Sequence, residues 1–107
     1  MAKLSFKNPT GTSFHNVTIR CTANQMIRAI GEAQWGDNDG RDKVNFDWIC
    51  ETKYGAVFTV YDWKYYRPLD LDEEVAFHIG AHRADTALTA QKELLKPFSE
   101  KIGRAHV

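Results

Sequence analysis

The chain has 107 residues, 43% of them apolar and 26% charged, and its fourteen Lys+Arg balance fourteen Asp+Glu. That fits a single globular domain, residues 1–107, with a real but modest core. It argues against an obligate nucleic-acid binder, which is usually basic over the whole domain, and two cysteines are too few for a disulfide scaffold or a zinc cluster. No apolar run approaches the roughly 18 residues that span a bilayer. The first residues, Met1 to Lys7, carry no signal-peptide apolar core. The zero net charge leaves room for a local basic pocket and removes one barrier to self-association.

Residues 3–7 alternate polar and apolar and predict a short edge strand. Asn8-Pro9-Thr10-Gly11 is a turn. Val17, Ile19 and Cys21 alternate with Thr18 and Arg20, so Phe14 to Cys21 reads as a half-buried strand. Thr22-Ala23-Asn24-Gln25 has the form of a capping box, the threonine hydroxyl and the glutamine side chain each meeting the other residue's amide. The helix it opens shows Ala23, Met26, Ile27, Ile30 and Ala33 on one face, and Gly31 weakens its last turn.

Trp35 to Asp42 is a polar loop. Its Asp37-Asn38-Asp39-Gly40 run resembles a calcium loop superficially. Counted from Asp37, however, the sixth and twelfth positions are Asp42 and Trp48, where glycine and glutamate are required. A solvated turn is the expectation. Val44, Phe46, Trp48 and Cys50 give the clearest period-two signal, and the Lys53-Tyr54-Gly55 connection makes a hairpin with the next strand, 56–64. That strand is apolar on both faces, which predicts a central strand covered twice.

Pro68 to Glu74 is an acidic loop, and Val75, Phe77 and Ile79 form one more alternating strand. Asp85 is placed to cap a last helix with Ala87, Leu88, Leu94, Leu95 and Phe98 at helical spacing. Pro97 limits that helix, and the tail after Ile102 is expected to be loose. The order is ββαβββα: an α+β fold with an antiparallel sheet of four to five strands and two helices covering at least one face.

The chemistry-bearing residues are few. Cys21 and Cys50 read as small buried hydrophobes in a reducing compartment. His78 and His82 have a zinc-compatible spacing only on a helix, and here Gly80 separates them with no third ligand nearby. They read as neutral hydrogen-bonding histidines beside a sheet or pocket. No nucleophile elbow is recognisable, and Gly36, Gly40 and Gly55 do not form a phosphate cradle leading into a helix. The expectation is a non-enzymatic protein without cofactor or metal.

What stands out is an aromatic–basic cluster. Tyr61, Trp63, Tyr65 and Tyr66 can stack on a base, and Lys64 and Arg67 can meet phosphate. The same residue types dominate protein-binding hot spots, and Tyr61 and Trp63 could instead fill the core.

Several blocks carry a resemblance. Met26-Ile27-Arg28-Ala29-Ile30-Gly31, Asp42-Lys43-Val44, Phe46-Asp47-Trp48, Val57 to Lys64 with its Tyr-Asp-Trp-Lys, and His78-Ile79-Gly80 occur in that order. Their order and spacing over roughly residues 11–95 resemble a family of small phage and prophage proteins. Where the family pattern would place tryptophan before His78, this chain has Ala76-Phe77, and no proline follows soon after Gly31.

The resemblance implies a phage-encoded protein acting in the host cytoplasm to disarm a defence. The first expectation is an oligomeric sponge that sequesters a nucleotide-type immune signal in a pocket between subunits. Tyr61, Trp63, Lys64, Arg67, His78 and His82 would hold the ligand, with Arg28 as an outlying phosphate contact. The second is an inhibitor that blocks a host defence protein, such as a CRISPR complex, by direct contact. Its acidic surface, Asp37, Asp39, Asp70, Asp72, Glu73 and Glu74, would occupy a nucleic-acid channel. The third is a small enzyme acting on a nucleotide.

Overall fold

Seven elements follow in the order the sequence predicts, in a computed structural model that describes residues 1–105 and side chains as far as Phe98. They are β1 (Lys3–Leu4), β2 (Ser13–Cys21), α1 (Ala23–Ala29), β3 (Asp47–Glu51), β4 (Val57–Tyr61), β5 (Val75–Ala81) and α2 (Ala84–Ala105). The strands form one antiparallel sheet of order β1-β3-β4-β5-β2.

Period two sorts the side chains onto two faces. The rows Trp48–Val60–Ile79 and Cys50–Phe58–Ala81 run across the three central strands, and Ile19 pairs with Phe77 beside them. All of these are buried, together with Ala23 and Met26 of α1 and Ala87, Ala90, Leu94 and Phe98 of α2. Both helices therefore lie on this one face. The alternate rows, Asp47–Tyr61–His78–Thr18 and Ile49–Thr59–Gly80–Phe14, occupy the opposite face, which no helix covers. β4 is central, as its sequence predicts, but helices cover it once rather than twice. Its second apolar phase, Val57 and Tyr61, looks instead onto the open face.

Local chemistry explains most boundaries. The capping box at the start of α1 is present: the Gln25 amide donates to Thr22 Oγ1 at 3.0 Å and the Thr22 amide to Gln25 Oε1 at 2.8 Å. α1 stops at Ala29, short of the expected Ala33, because Gly31 turns the chain at φ 122. The Gly31 carbonyl then accepts from the Trp48 indole at 2.8 Å. In β2 the chain advances from Phe14 to Thr18 while β5 advances only from Gly80 to His78, and Asn16, at φ 61, takes up the excess in a bulge. The Thr52 hydroxyl accepts from the amides of Tyr54 and Ala56 and closes the β3–β4 hairpin.

α2 differs from expectation in three ways. It begins at Ala84, so Asp85 sits in the first turn instead of capping it. Its buried stripe is Ala87, Ala90, Leu94 and Phe98, while Leu88 and Leu95 face outward. The helix also continues through Pro97 to Ala105, because buried Leu94 and Phe98 anchor it on either side of the one backbone bond that proline removes. The loose tail expected after Ile102 is helical to Ala105, and residues 106 and 107 lie outside the described residues.

Cys21 and Cys50 are free and buried, as expected, and burial pushes both thiols up to about 12. Neither is thiolate at neutral pH. Ellman's reagent is expected to leave both unmodified in the native protein and to titrate both after denaturation; rapid native labelling would contradict this burial.

Candidate functional site on the open sheet face

Two loops fix the site, and one buried carboxylate joins them. Asp62 follows β4 and is fully buried. Its Oδ1 accepts from the backbone amides of Asn45 and Phe46, both at 2.8 Å, and its Oδ2 from Asn45 Nδ2 at 3.0 Å. Asn45 Nδ2 also donates to the Arg67 carbonyl at 2.9 Å, and Asn45 Oδ1 accepts from the Gly40 amide at 3.0 Å. Asn38 adds a reciprocal pair with the Leu69 backbone, at 2.9 and 2.7 Å. A Cβ at Gly40 would stand 2.7 Å from the Arg67 Cα, so the approach of the two loops requires glycine there. Most of the polar loop is solvent-exposed, as expected of a turn, while Asn38 and Gly40 tie it to the 67–69 segment.

This zipper ends both strands. The amides of Asn45 and Phe46 serve Asp62, so β3 begins only at Asp47, and β4 stops at Tyr61 instead of running to Lys64. Beyond Asp62 the chain turns through positive φ at Lys64 (61) and Tyr66 (53). Non-glycine residues there cost of order 1 kcal/mol each and persist only where the surroundings hold them. The Lys64 amide is pinned to the Lys43 carbonyl at 2.7 Å, which sets the two lysines side by side.

The turn lays Trp63 back along the open face. A hollow of about 450 Å³ lies beside it, lined by Asp47, Thr59, Tyr61 and Gly80 of the sheet, by Val44 and Trp63, and by the 9–13 turn. Gly80 keeps it open: a Cβ there would meet Thr59 Oγ1 at 2.6 Å and Tyr61 Cε1 at 3.4 Å. Glycine inside a strand often marks close approach by another group.

Four rings cluster on this face, and two of them, Tyr61 and Trp63, line the hollow. His78 stacks on Phe14 at 4.0 Å, meets the edge of Tyr61 at 5.5 Å and lies within 28° of parallel to Trp63 at 6.4 Å. Burial lowers the His78 pKa below its ordinary value, which favours the neutral ring. Trp63 remains 41% exposed. The ammonium groups of Lys43 and Lys64 lie 5.8 and 5.6 Å from its ring centroid, within cation–π range.

Asp47 is the acidic residue that lines the hollow. Its Oδ1 is buried and no donor among the described residues reaches it. Burial and, secondarily, the nearby Asp62 carboxylate raise the Asp47 pKa; burial and Asp47 in turn raise that of Tyr61. A buried acceptor left unpaired costs about 1–3 kcal/mol.

Tyr61, Trp63, Lys64 and His78 cluster together on this face. His82 stands at the rim: its Cε1 lies 3.2 Å from where a Gly11 Cβ would be, against the turn that walls the hollow. Arg67 does not line the hollow. Its guanidinium makes a bidentate pair with Glu73, at 2.8 and 2.7 Å, and lies over Tyr65. Arg28 is exposed on α1, on the helix-covered side, and donates to the Asn24 carbonyl. Lys43, Asp47, Thr59, Gly80 and the ring support from Phe14 escaped the sequence reading. The available signal was Asp47 itself, an acidic residue in the polar phase of the strand whose other phase is Trp48 and Cys50.

Much of the acidic surface is internally paired. Glu73 holds Arg67, Glu74 pairs with Arg20 at 2.9 Å, Asp39 with Arg41 at 3.8 Å, and Asp72 accepts from Asn24 at 2.7 Å. The Arg67 hydrogen bonds, followed by that of the Asp70 amide, pull the Glu73 pKa from 4.5 down to about 2. A carboxylate depressed on folding stabilises the fold above its unfolded value, and that contribution is lost as pH falls through the folded one. The Glu73 contribution is therefore complete above about pH 4.5 and lost towards pH 2. NMR titration of the Glu73 carboxyl is expected to show this depressed midpoint in wild type and a return towards 4.5 in Arg67→Ala; an unshifted midpoint in wild type would contradict the pairing.

Comparison with protein-family models, with curated proteins and with solved structures gives no match. Among the described residues, no helix is long and apolar enough to cross a membrane, and no group of three His, Cys, Asp or Glu is placed to hold a metal ion.

Proposed function

We propose that this protein is a non-enzymatic binder of a nucleotide-type ligand, which it holds on the open face of the sheet. The carrying observation is a half-exposed indole, Trp63, that lines the hollow with Tyr61 and carries the ammonium groups of two adjacent lysines within 6 Å of its ring. A base stacks on Trp63, which is worth about 1–3 kcal/mol per base. Phosphate meets the ammonium groups of Lys43 and Lys64 at the rim. His78, stacked on Phe14, extends the aromatic surface.

The resemblance to small phage proteins supports a role for this binding: sequestration of a nucleotide immune signal in the host cytoplasm. A second copy laid over the open face would enclose the ligand between subunits, and the balanced charge of the chain does not oppose such a homo-oligomer. The contact-inhibitor reading draws less support, because the acidic side chains it would use are largely engaged with Arg20, Arg41, Arg67 and Asn24.

Native mass spectrometry of the protein, purified from cells with an active nucleotide-signalling defence, tests the proposal. An added mass of several hundred daltons per site, released intact on denaturation, is the expected result. A ligand-free spectrum with a stoichiometric host protein would move the assignment to the contact inhibitor. Release of a chemically altered nucleotide would make the protein an enzyme.

A further inference from the structure

We infer that the ligand of this face carries two bases, as a dinucleotide does, with Trp63 stacking one and Trp35 the other. The inference rests on the nucleotide reading above and adds to it how many bases the ligand carries.

Trp35 stands at the start of the polar loop and forms an isolated antiparallel bridge with Asp47. Residues directly opposed in such a pairing project their side chains to the same side of the sheet. Asp47 in turn faces Tyr61 across the β3–β4 ladder. Trp35, Asp47 and Tyr61 therefore form one row on the open face, and the Trp63 ring packs on that of Tyr61 at 6.1 Å. The row places two indoles on this face, Trp35 at 64% exposed and Trp63 at 41%. Asp47 and Tyr61, which line the hollow, stand between them.

The Trp35 ring is held out on a fixed backbone. The Asp47 amide donates to the Trp35 carbonyl at 3.0 Å, and the Trp35 amide to the Asp47 carbonyl at 3.3 Å. On one side, the Gln34 side chain donates to the Ile49 carbonyl at 2.8 Å and accepts from the Ile49 amide at 2.9 Å. On the other, Gly36 turns at φ 99, where a Cβ would overlap the Asn45 carbonyl oxygen. The ring itself belongs neither to the core nor to the stacked group around His78. An aromatic face that is free and exposed is the platform that base stacking uses. Holding its backbone rigid lowers the ordering cost of binding.

Spacing sets the number of bases. Trp35 and Tyr61 stand two strand spacings apart, about 10 Å. Bases stacked on each other as in a duplex are about 3.4 Å apart, too close to reach both indoles. A single base reaches one. A dinucleotide with its bases splayed apart reaches both, with its terminal phosphate beside Lys43 and Lys64 at Trp63.

Isothermal titration calorimetry of the full chain with GMP, GDP and the linear dinucleotide pGpG tests the inference. The dinucleotide is expected to bind about tenfold or more tightly than GMP, the range for one added stacked base. GDP adds a phosphate without a second base, and it should fall well short of pGpG. Trp35→Ala is expected to bring pGpG down to the affinity of GMP while leaving GMP unchanged, and Trp35→Phe should recover most of the difference. Binding of pGpG no tighter than GMP, or matched by GDP, would overturn the two-base ligand while leaving the nucleotide reading standing. No binding of any of the three would overturn both. Unchanged pGpG affinity in a folded Trp35→Ala would overturn the role of Trp35, and the wild-type comparison decides even if that variant fails to fold.

Discussion

Asp62→Ala is expected to lower the unfolding free energy by about 2–6 kcal/mol, from two buried backbone amides left unsatisfied at about 1–3 kcal/mol each. The carboxylate is fully buried and receives three donors, two of them backbone amides. Removing it strands those amides away from water, at about 1–3 kcal/mol for each group that stays unsatisfied. A domain of this size has about 5–15 kcal/mol in total, so the variant would be marginal. Asp62→Asn keeps the shape and can still accept from the two amides, but its own amide group then faces the Asn45 amide, donor to donor. It is expected to be destabilised less than the alanine variant. Urea unfolding of the three proteins measures this order. A change within about 0.5 kcal/mol for the alanine variant, the level typical of surface substitutions, would mean that the two loops are held by something else.

Trp63→Ala is expected to do the reverse: little to stability, much to binding. Its ring is 41% exposed and its contacts are on the face without helices. Nucleotide affinity should fall about tenfold or more, given about 1–3 kcal/mol per stacked base. Trp63→Phe keeps a ring face and should recover most of the loss. Calorimetric titration of each variant with the nucleotide that binds wild type gives the comparison, with urea unfolding run alongside. Affinity within about twofold of wild type in the alanine variant, far below the loss expected for a stacked base, would remove Trp63 from the site.

These two residues are neighbours in the Tyr-Asp-Trp-Lys block, and their roles are opposite. The aspartate is buried and builds the frame; the tryptophan is exposed and offers the surface. The sequence shows that the block is aromatic and basic but not this division, because the partner that buries Asp62 is Asn45, 17 positions earlier. Arg67 illustrates the same limit. Its proximity in sequence to Tyr65 and Tyr66 suggested a phosphate contact, yet Glu73 takes both of its terminal nitrogens.

The fold was more legible than the site. Alternation in 17–21, 44–50 and 75–79, together with the Thr22–Gln25 box, places the strands and the first helix, since these signals arise from contacts within a few residues. Which face of β4 the helices cover is a tertiary matter. Val57, Thr59 and Tyr61 alternate just as an inner face would, and only the placement of α1 and α2 leaves that row without a helix over it. Pro97 likewise carried a local rule that the burial of Leu94 and Phe98 overrides. The importance of Asp47 was hidden because a lone acidic residue in a polar strand phase reads as solvent-exposed. Its unpartnered, buried oxygen is a tertiary feature that no local pattern signals.

Titration of the ¹⁵N-labelled protein with GMP, followed by backbone and indole amide shifts, tests the central claim most directly. The account predicts saturable shifts centred on Asp47, Thr59, Tyr61, Gly80 and the Trp63 indole, with the α1 amides near Arg28 unmoved. Shifts centred on the helix-covered side, or none at concentrations where other nucleotides also fail to bind, would contradict it.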